Sequence, residues 1–202
     1  MMLYLHGFRS SPSSFKARLL EQAFTDRGLA EQWCCPQLPA SPKAAIDLAR
    51  REVDAMMARC GRSAQDLTIA GSSLGGFYAI VLAEQLGCRA ILLNPAVHAP
   101  RDLATQVGDH LQYHSDEPMS FLPHYVDELA AMAVTQISAP ERYLLIAATG
   151  DELLDWREMV AFADQAHHII VPGSDHGLSD FETYMPAVLE FAGVPLTPNQ
   201  AS

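Results

Sequence analysis

No stretch of this sequence stays apolar for anything near the ~20 residues that a membrane-crossing helix needs. Basic residues are scarce too: 13 Lys and Arg stand against 24 Asp and Glu, a formal net charge of −11. The acids are scattered along the chain, and phosphate binding needs a basic surface, so no nucleic-acid partner is expected. Cysteine is limited to Cys34, Cys35, Cys60 and Cys88, with no C-x-x-C pair and no Cys/His cluster at zinc-ligand spacing. That argues against a metal site and a disulfide framework, and for small apolar residues in a reducing compartment. The opening Met-Met-Leu-Tyr-Leu-His-Gly has no basic leader, apolar core or cleavage site, so it does not read as a signal peptide. The cytoplasm is the expected location.

What is present suits one globular domain: 202 residues, 49% hydrophobic and 18% charged. Short apolar runs alternate with helix-patterned segments. Strands are expected at residues 3–5, 32–36, 67–70, 90–93, 143–148 and 168–171, and helices over 13–27, 42–60, 73–86, about 155–165 and 184–191. Continuous apolar strands separated by helices predict a three-layer α/β fold, with a mostly or wholly parallel sheet of about six strands. Right-handed crossovers then gather the strand C-terminal ends, and the loops that carry chemistry, along one edge. Residues 95–142 exceed what a crossover between the fourth and fifth strands requires, which predicts a lid or cap insertion. Its mixed aromatic set includes Tyr113, His114, Met119, Phe121, His124 and Tyr125. A single domain over 1–192 and a loose tail over 193–202 complete the layout.

Gly71-Ser72-Ser73-Leu74-Gly75 fits G-x-S-x-G, between an apolar run that suits a buried strand and a segment that suits a helix. A sharp strand-to-helix turn lifts the central serine out of the sheet. Side chains two residues to either side would collide there, hence the glycines. Three fixed positions recur by chance in ~0.03% of windows at average composition, so the strand–turn–helix setting gives the motif its weight. Ser73 is the candidate nucleophile. Such sites use two backbone N–H groups to hold the oxyanion, one after the nucleophile and one after the first strand. Here those are Leu74 and, in His6-Gly7-Phe8, Phe8. His6 itself reads as a brace for the loop.

Chain order in hydrolases with this elbow is serine, acid, histidine. His176, in a Gly173–Gly177 loop after the last strand, satisfies it; His167 and His168 fall at that strand's other end. Asp151 follows the fifth strand in Thr149-Gly150-Asp151-Glu152 and is the preferred acid. Glu152, Asp155 and Asp175 compete, Asp155 reading equally well as a helix N-cap. Its carboxylate would fix the imidazole's tautomer and stabilise its charged form.

With those motifs placed, the chain resembles the YqiA/YcfP-type esterase family of small bacterial α/β hydrolases. The resemblance rests on LYLHGF at 3–8, SSP at 10–12, PQLP at 36–39, GSSLGGFYA at 71–79, NPAV at 94–97, TGDELLD at 149–155 and Asp-His at 175–176. It implies a compact α/β-hydrolase fold without the first antiparallel strands of larger relatives, a Ser73–Asp151–His176 triad, a carboxylic-ester or thioester substrate and no cofactor. Arg9 departs from the small polar residue expected after HGF. Arg9, Tyr113 and Phe121 are the candidate substrate contacts. Two alternatives stay open: a hydrolase of another bond (lactone, peptide, carbon–carbon), and a binding protein on the same fold without catalysis.

Overall fold

The computed structural model describes residues 1–113 and 118–195. His114 and residues 196–202 of the expected tail lie outside the described residues. The main sheet contains β1 (Met2–Leu5), β2 (Trp33–Cys34), β3 (Thr68–Ser72), β4 (Arg89–Leu93), β7 (Tyr143–Ala148) and β8 (His167–Val171). Its order is β2-β1-β3-β4-β7-β8 and every pairing is parallel.

Period-two alternation divides each central strand between two cores. Leu3, Leu5, Ile69, Ala90, Leu92, Tyr143 and Leu145 face one side, where α2 (Pro42–Cys60) and α3 (Leu74–Leu86) pack. Met2, Tyr4, Ala70, Ile91, Leu93, Leu144 and Ile146 face the other, under α1 (Phe15–Thr25) and α7 (Met185–Phe191). This is the expected three-layer arrangement. Local chemistry sets helix ends: on α2, Ser41 accepts from the Ala44 N–H at 3.2 Å, Pro42 opens the first turn, and Gly61 closes the helix at φ 61°. Adjacent Cys34 and Cys35 pack on opposite sides of the sheet.

On α1, Phe15 is exposed and the buried stripe includes Lys16, 9% exposed, beside Leu20 and Phe24. One sequence expectation needs correcting here. The tail does not start at Gly193, because Val194 is buried and its N–H donates to Leu189 O at 2.8 Å.

The interval 95–142 carries α4 (Ala99–Leu103), an antiparallel hairpin of β5 (Gly108–Leu111) and β6 (Pro118–Phe121), and α5 (Pro123–Met132); α6 (Trp156–Phe162) follows β7. Ala99, Leu103, Phe121 and Leu129 join the core on the α2/α3 side. Among the described residues, no helix is long and apolar enough to cross a membrane.

Candidate active site

The β3–α3 turn places Ser73 at φ 56°, ψ −119°, a region that a non-glycine residue enters only at a cost of ~1–3 kcal/mol. β4 and the loop after it hold it there: its N–H donates to Leu93 O at 3.0 Å, and its carbonyl accepts from Ala96 N at 3.0 Å. The glycine requirement is steric. A Cβ on Gly71 would run into the Gly75 carbonyl, and one on Gly75 into the Leu5 carbonyl of β1. Ser72 stays in the strand, buried and paired with Leu93.

The His6-Gly7-Phe8 loop comes against this turn; a Cβ on Gly7 would lie 3.3 Å from Ser73 Cβ and 3.9 Å from its Oγ. The backbone N–H groups of Leu74 and Phe8 have no acceptor among the described residues, so both are free for an incoming oxygen. His6 is buried, with Nε2 accepting from Leu38 N–H at 3.0 Å and Nδ1 at 3.1 Å from Gly7 O. Burial lowers its pKa, so the ring stays neutral and ties the loop to the 37–40 segment. Phe8 is wedged edge-on against His110 and Phe121, centroids 5.2 and 5.4 Å away. A narrow crevice beside Phe8 and Leu74 is lined by Gly7, Arg9, Leu38, Tyr78, Gln112 and Met119.

Across the sheet edge, Asp151 follows β7 and His176 lies in the loop after β8. His176 Nδ1 is 2.8 Å from Asp151 Oδ2, and the Asp151 side chain is fully buried. The second oxygen, Oδ1, accepts from the N–H groups of Leu153 (2.8 Å) and Leu154 (2.9 Å). Burial alone would raise this carboxyl's pKa. The His176 hydrogen bond, the attraction of the ring and the Leu154 and Leu153 amides outweigh it and hold the pKa below the usual aspartate value. His176 Nδ1 is thus engaged and Nε2 is left available. Among the described residues no hydrogen bond joins Nε2 to Ser73 Oγ; such contacts often tighten only when substrate is bound.

The competing acids have other partners. Glu152 Oε2 accepts the His176 backbone N–H at 3.0 Å, Asp155 caps α6 through Arg157 N, and Asp175 Oδ1 accepts from Ser179 N. Residues His167 and His168 begin β8, at the far end from the loop.

Of the three candidate substrate contacts, only Arg9 lines the crevice. Its Nε donates to Leu111 O at 2.7 Å and its guanidinium sits 4.5 Å over the ring of Tyr113, which is 52% exposed. Phe121 is corrected: at 1% exposed, packed against Phe8 and Tyr125, it supports Phe8 from behind and does not face the crevice.

Two residues of this neighbourhood escaped the sequence reading. Asn94, at the end of β4, donates to the carbonyls of Asp175 and His176. Lys16 Nζ donates to the Gly177 carbonyl from α1. A polar residue ending a buried strand, and a lysine on an apolar helical stripe, were the signals.

A parallel six-stranded sheet, a strained serine on the β3–α3 turn and a histidine loop after the last strand define an α/β-hydrolase fold. Solved structures agree. Est1E from Butyrivibrio proteoclasticus, with ferulic acid bound, matches at TM-score 0.73 and 18% identity over 94% of this chain and 86% of its own. A structure from work on LipS and LipT, two metagenome-derived lipolytic enzymes, matches at TM-score 0.72 and 16% identity over 95% and 92%. An alpha-beta serine hydrolase homologue from Coxiella burnetii matches at 0.57 and 13% over 95% and 82%. At these identities the likeness is one of fold. Residues 1–193 match the profile of a family described as an uncharacterised protein family, UPF0227, and the chain belongs to it; this is the YqiA/YcfP family.

Proposed function

We propose that this chain is a serine hydrolase of carboxylic esters or acyl thioesters, working through an acyl-Ser73 intermediate. One observation carries the reading. A wholly buried Asp151 carboxylate, fixed by two backbone amides, holds His176 Nδ1 at 2.8 Å on the same sheet edge as the strained Ser73. A purely structural loop has no need of that arrangement. The esterase and lipolytic neighbours lend further support through the shared fold.

In this mechanism His176 Nε2 takes the Ser73 Oγ proton as Oγ attacks the acyl carbon. The Leu74 and Phe8 N–H groups hold the oxyanion, and Asp151 stabilises the imidazolium without taking its proton. Collapse breaks the bond to the alcohol or thiol, which leaves with the proton from His176. Water, deprotonated by His176, then attacks the acyl-serine, releasing the acid and restoring Ser73. No step calls for a metal or an organic cofactor. The substrate is a small molecule entering beside Phe8, with the β5–β6 hairpin as its cover and Arg9, stacked on Tyr113, at the rim.

The test compares wild type with Ser73→Ala on p-nitrophenyl esters of graded acyl length. The reading predicts a fall of ~10³-fold or more in kcat/KM. Equal rates in the two proteins would refute it.

A further inference from the structure

We infer that Asn94 is a positioning residue that sets where His176 stands relative to Ser73. It is wholly buried, at φ 43°, at the C-terminal end of β4. Its Oδ1 accepts from Ala148 N–H at 2.8 Å, and its Nδ2 donates to the carbonyls of Asp175 and His176, both at 3.0 Å. This pattern fixes the amide's orientation, because a flipped amide would set an NH2 against an N–H and an oxygen against two carbonyls.

These bonds run to the two segments that bear the proposed Asp151 and His176 chemistry, on which this inference rests, and the residue before Asn94 holds the third, that of Ser73. Leu93, the preceding residue, receives the Ser73 N–H at 3.0 Å. Ala148, held by Oδ1, receives the Asp151 N–H at 3.3 Å. The two carbonyls held by Nδ2 belong to the histidine loop itself. That loop has other ties: Glu152 takes the His176 N–H, and Lys16 donates to the Gly177 carbonyl. Neither of those residues lies on a strand beside Ser73. Asn94 ties the histidine loop directly to the end of β4, the strand that also holds Ser73, so one side chain links the placement of base and nucleophile. Asparagine suits the place doubly: it supplies two donors and an acceptor, and it tolerates a left-handed backbone better than most residues.

Asn94→Asp keeps the shape, the backbone tolerance and the acceptor for Ala148 N–H, and in its ionised form loses both donors. Asn94→Gly accepts the same φ and serves if the aspartate variant does not fold. Val53→Ala, in the α2 core and away from the site, controls for stability lost without positioning. With p-nitrophenyl esters, the Asn94 variants are expected to lose about 10²-fold in kcat, with KM within about threefold of wild type. Val53→Ala keeps the wild-type kcat below its Tm. Wild-type kcat in both Asn94 variants, or an equal loss in Val53→Ala, overturns the inference. Should wild type turn out to have no ester turnover, the proposed function fails by itself. Positioning is then read from the His176 ring resonances in NMR: they shift in the Asn94 variants and hold in Val53→Ala, and unshifted resonances in the Asn94 variants overturn it.

Discussion

Asp151 and Lys16 are both buried, and they respond to pH in opposite ways. Asp151's folded pKa is depressed, so its contribution to stability is complete above its unfolded value near ~4 and is lost as pH falls through the folded value. The stability gap between wild type and Asp151→Asn should therefore be constant above about pH 5 and shrink at lower pH in urea titrations. At neutral pH the same variant should lose ~10⁴-fold in kcat, because the imidazole is no longer held in the productive tautomer. Lys16 is the converse. Burial lowers its pKa to about 8, against the attraction of Asp175. Between about pH 8 and the unfolded lysine value near ~10.4, the unfolded chain binds more protons, so stability rises with pH. The stability of wild type relative to Lys16→Met should rise by ~3 kcal/mol across that window. A flat difference would mean that Lys16 is not buried as a charge.

At the scale of elements, the β5–β6 hairpin matters through what it packs against. Phe121 on β6 and His110 on β5 pack edge-on against the Phe8 ring, and the Phe8 N–H has no acceptor among the described residues. Phe121→Ala should cost about 3–5 kcal/mol as a core truncation. It should also lower kcat alike across all acyl lengths, because the donor loosens and no substrate contact is lost. A loss confined to particular acyl lengths, in the same ester series, would return Phe121 to the substrate surface. The hairpin also shows why 95–142 resisted reading. Its two four-residue strands are mostly exposed, so they lack the continuous apolar run of a buried strand. The aromatics Tyr113, Phe121 and Tyr125 do not reveal from sequence which of them turns inward; Phe121 does so and Tyr113 does not.

The molecule as a whole was legible where one rule governs many residues. Short apolar runs mark all six sheet strands, and helical spacing marks α1, α2 and α3, whereas α5 inside 95–142 lies outside the expected helices. Turn chemistry and chain order point to Ser73, Asp151 and His176, and the fold brings Asp151 and His176 into contact at 2.8 Å. Asn94 was not legible, because its side-chain partners lie 54, 81 and 82 residues along the chain, and an Asn-Pro after a strand reads simply as a stop. Lys16 was hidden for a similar reason: its acceptor is the backbone carbonyl of Gly177, 161 residues away. Groups that do the proposed chemistry leave local motifs, whereas groups that hold those segments together depend on the finished fold.

The central claim, that Ser73 is activated for nucleophilic attack, is tested most directly by a fluorophosphonate probe read by peptide mass spectrometry. The account predicts one adduct, on Ser73 Oγ with fluoride displaced, absent in Ser73→Ala and formed far more slowly in His176→Ala. No adduct, or an adduct on Ser72 that survives Ser73→Ala, would contradict it.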